Sequence, residues 1–338
     1  MVFMRIAIVK LSALGDIVHA MVILQFIKKF NQQISIDWIV EESYKELLEL
    51  HPDINKVYKF NLQEAKKKKS PLILFRELRR ARKLGPYDLV IDLQGLIKSA
   101  IISRIIPSKH NVGFDRPSSR EGLAAILYNK RFNIGYERNV IERNFEIVKF
   151  ALALPIDKKV IMNKKPFLPI NVKYLNTNIS KSKKNILLIP GASQASKMYP
   201  LEKIAELSNL MDGNYLVIWG NSKEKLIAEE IKSMSANVTV CEKLTLSELI
   251  SLISMVDLVI GPDTGPTHFA WALNIPSITL FGPTPGYRNT FETKINRVIE
   301  SNSKVNPHKI NKNDNSIKDI EINTIIETSL KLLKKINN

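Results

Sequence analysis

Asp263-Thr264-Gly265-Pro266-Thr267-His268 puts a carboxylate, two hydroxyls, a glycine and an imidazole into one short stretch. The stretch lies between an apolar run, Leu258-Val259-Ile260, and a helical run, Phe269-Ala270-Trp271-Ala272-Leu273. That order predicts a strand, a turn and the start of a helix, where backbone N–H groups and the positive end of the helix dipole bind anions. A second turn, Pro190-Gly191-Ala192-Ser193-Gln194-Ala195-Ser196-Lys197, follows the apolar run Ile186-Leu187-Leu188-Ile189 and closes on an ammonium. Together Ala192, Ser193, Lys197, Thr264 and Gly265 could hold a diphosphate through amides, hydroxyls and one cation. A lysine at the start of a helix opposes the dipole, which favours a ligand-facing role for Lys197 over plain exposure. His268 is open to two roles, a phosphate contact or a hydrogen-bonded core histidine.

Asp16 occupies a comparable place near the N-terminus, at the end of Lys10-Leu11-Ser12-Ala13-Leu14-Gly15-Asp16. It can cap the helix that follows, or act as a general base on a substrate held by the second half of the chain. Asp263 carries the same ambiguity. The first turn has a single glycine, so it lacks the dinucleotide-binding fingerprint, and there is no Walker lysine motif. No Asp-x-Asp pair is present to hold a metal, and no metal site is expected.

The elements that must position these residues alternate. Strands are expected at Met4 to Val9, 34–40, 56–60 and 87–93, with helices between them, which argues for a parallel sheet. Pro166, Pro169 and the polar stretch from Asn171 to Asn185 read as a linker. The pattern then restarts with strands at Ile186 to Ile189, 215–220, 238–240, 258–260 and 277–281, and Thr245 is a plausible cap for a helix over 247–255. We therefore expect a Rossmann-like domain over 1–168, a linker over 169–184 and a second Rossmann-like domain over 185–318. A C-terminal helix over 319–338 could pack back on the first domain.

With 338 residues, two domains are the expectation. One cysteine, Cys241, excludes an intramolecular disulfide framework and a cysteine-rich zinc site. No run reaches the length of a transmembrane helix, and the N-terminus, interrupted by Arg5, Lys10 and Asp16, reads as a core strand. The net charge of +17 suits nucleic acid, an anionic membrane or an acidic substrate, while a Lys/Asn-rich background accounts for it equally well. The charge clusters at Lys66-Lys67-Lys68-Lys69, expected as a loop, and on a helix bearing Arg76, Arg79, Arg80, Arg82 and Lys83, whose other face carries Leu74, Phe75, Leu78 and Ala81. Arg116 and Arg120 lie in a polar stretch, 111–122, also expected as a loop. The basic residues are not interleaved with exposed aromatics and carry no known binding motif, which speaks against nucleic acid.

Three segments resemble one known family. They are Lys10-Leu11-Ser12-Ala13-Leu14-Gly15-Asp16-Ile17-Val18-His19-Ala20, Asp92-Leu93-Gln94-Gly95-Leu96-Ile97-Lys98-Ser99-Ala100 and Gly261-Pro262-Asp263-Thr264-Gly265-Pro266-Thr267-His268. In this order they are similar to segments of the ADP-heptose:lipopolysaccharide heptosyltransferases, glycosyltransferase family nine, whose fold is the α/β GT-B type with two Rossmann-like domains facing across a cleft. The likeness runs from Met4 to about Pro285. The second segment and Arg120-Glu121-Gly122-Leu123 resemble the type I branch, whereas type II enzymes usually have a Pro-Asn-Ser turn in place of Gln94-Gly95.

The resemblance implies an inverting, metal-independent transfer of heptose from ADP-heptose to a Kdo of Kdo2-lipid A, with no cofactor. It implies Asp16 as base, Lys197 and Ser193 on phosphate, Asp263 near the heptose hydroxyls, and Thr264, Gly265 and His268 around the diphosphate. It further implies Glu224 on the adenosine ribose and Leu244 beside adenine. Ala192 stands where the family often has a hydroxyl, and Pro266 removes one N–H donor. Lys66, Lys67, Lys68, Lys69, Arg116 and Arg120 would meet the acidic acceptor and the anionic surface of the inner membrane, on its cytoplasmic face. The alternatives are a type II enzyme acting on a heptosylated acceptor and a non-catalytic binder of anionic ligands on the same scaffold.

Overall fold

The computed structural model describes residues 3–170 and 178–335. The chain divides into two compact units, Met1–Phe167 and Leu168–Asn338. Much of the expected linker, from 171 to 177, lies outside the described residues, as do 336–338 at the end of the last helix.

The first unit contains β1 (Met4–Val9), β2 (Ile34–Glu41), β3 (Lys56–Phe60), β4 (Tyr87–Asp92), β5 (Ser108–Phe114) and β6 (Lys130–Phe132). They form one parallel sheet in the order β3-β2-β1-β4-β5-β6. Ile6, Ala7, Ile8 and Val9 are all fully buried, as expected of a central parallel strand covered on both faces. The chain starts at the centre, runs out to β3 and returns to β4 on the other side of β1. The order therefore reverses between β1 and β4, and ligands of such sheets bind beyond the carboxyl ends at that point.

The second unit contains β7 (Asn185–Leu188), β8 (Asn214–Val217), β9 (Val238–Val240), β10 (Leu258–Pro262), β11 (Ser277–Phe281) and β12 (Asn296–Glu300), again parallel. Their order is β12-β11-β10-β7-β8-β9, so the reversal falls between β7 and β10. Thr245 caps the helix Leu246–Met255 in a reciprocal box with Glu248. The C-terminal helix Ile322–Lys335 packs within this unit. Ile325, Leu332 and Leu333 join its core, and the Tyr199 hydroxyl donates to the Ile320 carbonyl at 2.8 Å. The helix's apolar side is thus covered by its own unit.

Other expectations change as well. The stretch around Asn111-Val112-Gly113-Phe114, expected as loop, is β5, an extended segment whose inner end is buried through Val112 and Phe114. Lys66-Lys67-Lys68-Lys69 is only half loop: Lys66 and Lys67 are helical, and Lys68 and Lys69 form the turn that follows. Leu62 and Ala65 anchor a helix, Leu62–Lys67, which runs through the first two lysines, and Lys68 pairs with Glu64 at 2.7 Å. Ser70 then caps the next helix, Pro71–Ala81, by accepting from the Ile73 amide. On that helix Ala81 is buried and Leu78 partly so, but Leu74 and Phe75 are exposed.

Candidate active site

In the second unit the two polar turns singled out in the sequence meet at the reversal point. β10 runs beside β7, and the Ile189 amide donates to the Ile260 carbonyl, so both chains leave the sheet side by side. Gly261 is required there: a Cβ would come within 2.8 Å of both Ile189 Cβ and Thr267 Oγ1. Thr267 Oγ1 donates to the Pro262 carbonyl at 2.8 Å, fixing the turn on the helix Gly265–Leu273. Thr264 sits at the N-cap, but its side chain makes no capping hydrogen bond.

Asp263 is the centre of the cluster. One carboxylate oxygen accepts from Lys197 Nζ at 2.7 Å, from Thr284 Oγ1 at 3.0 Å and from Asn289 Nδ2 at 3.3 Å. The other lies 3.1 Å from His268 Nε2, and because an ionised carboxylate only accepts, that nitrogen carries the proton. Burial pushes the Asp263 carboxyl up, but His268 and the Lys197 ammonium outweigh it and hold the group well below the usual carboxylate range. The side chain of Lys197 is 12% exposed, which removes the plain exposed-lysine reading. It ends a short 3-10 turn, Ala195–Lys197, rather than starting a helix. The sequence brings the turn Gly282-Pro283-Thr284 after β11 to the same place as the Asp263 stretch, since two successive strand ends meet there, but it gives no role to the Thr284 side chain or to Asn289, which ends the short helix Gly286–Asn289.

The remaining nucleotide candidates share the same carboxyl edge of the sheet. Ser193 is exposed and Ala192 half-buried in the turn after β7. Glu224 follows β8, where Oε2 accepts from the Gly220 amide at 2.7 Å and Oε1 from Asn221 Nδ2 at 2.7 Å. A Cβ on Gly191 would meet Glu224 Cδ at 2.6 Å, so this glycine brings the first turn and the Glu224 carboxylate together. Leu244 lies half-buried in the segment after β9. Gln194 Oε1 and Ser196 Oγ, in the turn that carries Lys197, are buried without a hydrogen-bond partner among the described residues.

In the first unit, Asp16 is the third residue of the helix Leu14–Met21, half-buried, with Oδ2 accepting from the Ala13 amide at 3.3 Å. One oxygen thus caps, and the other has no partner among the described residues. The turn is held across the reversal point by a residue the sequence reading gave no role. Gln94 Oε1, from the turn after β4, accepts from the Leu11 amide at 3.1 Å and the Ser12 amide at 3.2 Å. Asp92 fixes Gln94 in turn, accepting from the Gln94 amide at 2.7 Å and the Tyr128 hydroxyl at 2.7 Å. Glu41, buried at the end of β2, donates its amide to the Leu11 carbonyl at 3.1 Å. Burial pushes its carboxyl up, opposed by the Gln63 amide and by Lys98.

The basic candidates flank Asp16 along the same edge. Lys66 to Lys69 follow β3 and Arg116 follows β5, each two strands from β1, or roughly 10 Å at the usual strand spacing. Arg116 lines a cavity of about 320 Å³ with Asp115, Leu123, Ile126 and Arg131. Arg120 stands exposed in the same segment. Arg131, on β6, is an addition to the sequence-derived set. Among the described residues no group of three or more His, Cys, Asp or Glu side chains could hold a metal ion, and no helix is long and apolar enough to cross a membrane.

Two doubly wound α/β units, each with polar residues at its reversal point, define a GT-B-type protein. The chain matches the solved structure "E. coli heptosyltransferase WaaC with ADP" with TM-score 0.81 and 23% identity, over 97% of this chain and 100% of that one. A second WaaC structure, with ADP-2-deoxy-2-fluoro heptose, matches with TM-score 0.78, over 97% and 99%. In sequence, lipopolysaccharide heptosyltransferase 1 of Campylobacter coli is 42% identical over 98% of this chain and 99% of its own. Residues 74–318 match the family model of glycosyltransferase family 9 (heptosyltransferase). The chain belongs to glycosyltransferase family 9, and it is a glycosyltransferase.

Proposed function

We propose that the protein transfers heptose from ADP-L-glycero-β-D-manno-heptose to a Kdo hydroxyl of Kdo2-lipid A, with inversion, in assembly of the lipopolysaccharide core. The observation that carries this reading is the Lys197–Asp263–His268 cluster at the reversal point of the second sheet, in a chain so similar to a lipopolysaccharide heptosyltransferase 1. In the reaction the acceptor oxygen attacks the anomeric carbon and its proton passes to Asp16. The bond from that carbon to the β-phosphate oxygen breaks, and its electron pair leaves with ADP. Lys197, Ser193 and the amides at Thr264 and Gly265 stabilise the charge that develops there, with His268 beside them. Asp263 orients Lys197 and faces the heptose hydroxyls, while Glu224 holds the ribose and Leu244 packs near adenine. With Ala192 in place of a hydroxyl, Ser193 supplies that turn's side-chain contact to phosphate.

The acceptor is anionic and lipid-linked, which suits Lys66 to Lys69, Arg116 and Arg120. Arginine binds carboxylates in a bidentate fork, so Arg120 is assigned to Kdo. Arg120→Ala should raise the acceptor KM about tenfold and leave ADP-heptose binding unchanged. An equal loss in both would make the residue structural. These cations also seat the protein on the anionic cytoplasmic face of the inner membrane. The chemistry needs no metal on this reading, because the ammonium and helix amides take the phosphate charge. Proton NMR of the product tests the proposal: we expect the α-anomer from the β-linked donor and turnover that persists in EDTA. A β-linked product or loss of activity in EDTA would overturn it.

Gln94 acts through Asp16, by holding the Leu11 and Ser12 amides. Gln94→Leu should lower kcat about tenfold, on the scale of two lost hydrogen bonds, with the pH profile and donor Kd unmoved. Gln94→Glu, which keeps an acceptor oxygen, should recover most of the rate. Wild-type kcat in Gln94→Leu would show that the turn holds its shape without it.

A further inference from the structure

We infer that the helix Pro71–Ala81 is a membrane-interface element that inserts Leu72 and Phe75 into an anionic bilayer. This rests on the reading above, since it is a lipid-linked acceptor that gives the protein a reason to sit on a bilayer. A helix of a globular protein normally turns its large apolar side chains inward. Here the inward side is made by Glu77, Ala81 and the half-buried Leu78, while Leu72 is 77% exposed and Phe75 65%. Leu72 and Phe75 are three residues apart and so share a face, whereas Leu74 lies on the row of Leu78 and Ala81, at the end of the inward side. Ser70 and Pro71 fix the N-terminus of the helix, so these side chains are presented by an ordered element.

The surroundings say which partner fits. Between 64 and 83 the chain carries nine lysines and arginines against two glutamates. Three of the cations are paired with those acids, Lys68 with Glu64 and Arg76 and Arg80 with Glu77. Lys66, Lys67, Lys69, Arg79, Arg82 and Lys83 are exposed, and no ion pair ties them to another described residue. Apolar side chains on a helix, bracketed by cations before and after it, match the acyl boundary and the anionic headgroups of a lipid leaflet. A second copy would bring the same positive charge against itself, which opposes self-association through this face. Nucleic acid would use the cations but gain little from Leu72.

Flotation with vesicles of phosphatidylglycerol and phosphatidylcholine, against phosphatidylcholine alone, tests this on the full chain. The wild type should partition onto the anionic vesicles, and Leu72→Ser/Phe75→Ser should bind them about tenfold more weakly. Both positions are exposed, so the variant should fold, and its turnover on a deacylated, water-soluble Kdo acceptor should match the wild type. The fluorescence of Phe75→Trp should shift to the blue on mixing with anionic vesicles. Equal partition of variant and wild type, or no shift, overturns the inference. So does a lower assembly state in the variant with vesicle binding intact, which would assign the face to a second copy. If the wild type transfers no heptose to the soluble acceptor while the partition loss stands, the proposed function fails and the lipid-facing helix survives.

Discussion

Asp16→Asn should lower kcat by about 10²–10⁴-fold, the range for loss of a positioned general base, while ADP-heptose binds as before. The substitution is selective because Asp16 does two things that can be separated. Its Oδ2 accepts from the Ala13 amide, and an asparagine carbonyl can accept in its place, so the turn stays capped. The lost negative charge at the helix start costs only about 0.3–1 kcal/mol of stability. The free carboxylate oxygen is what a hydroxyl proton needs, and asparagine has no equivalent. Calorimetry with ADP-heptose and a thermal melt should therefore both resemble the wild type. Retained turnover would remove Asp16 from the base role and leave it a cap.

Lys197→Met should be nearly as damaging to rate and worse for stability. Loss of one donor to developing charge costs on the order of 10²–10³-fold in kcat. The same change strips Asp263 of its ammonium at 2.7 Å. Removing one partner of a buried pair is strongly destabilising. His268, Thr284 and Asn289 still bind the carboxylate, so we expect the smaller figure of about 2–3 kcal/mol. Adding Asp263→Asn in the Lys197→Met background separates the two effects: stability should recover while the rate does not. The sign with pH follows from the depressed Asp263 carboxyl. Its contribution is present above the ordinary carboxylate range and fades as pH falls below it, so the gap between wild type and Lys197→Met should narrow in acid. Recovery of rate along with stability would mean that Lys197 matters only as the partner of Asp263.

What could be read from the sequence and what could not divide on physical lines. The central strands were legible because burial on both faces leaves runs such as Ile6 to Val9 and Leu258 to Ile260. The turns at Asp16, Ser193 and Asp263 were legible because strand, small polar residues and helix occur in immediate succession. The outer strands β5, β6 and β12 were missed, since their polar residues follow no apolar run. Lys66 and Lys67 read as loop because their helix has only two buried anchors, Leu62 and Ala65. Direct long-range partners left no local trace: Gln94 supports a turn more than 80 residues away, and Lys197, expected on a ligand shared with Thr264 and Gly265, pairs with Asp263 itself across 66. Both pairs exist because the sheet order reverses between the strands that carry them, a fact of topology rather than of spacing.

The measurement that bears most directly on the account is heptose transfer by the purified protein with two acceptors in parallel, Kdo2-lipid A and its heptosylated derivative. Product mass is read after incubation with ADP-heptose. We expect a single heptose added to Kdo2-lipid A, and little or no addition to the heptosylated acceptor. Transfer only to the heptosylated acceptor would move the protein to the type II reaction, and no transfer to either would contradict the proposed function.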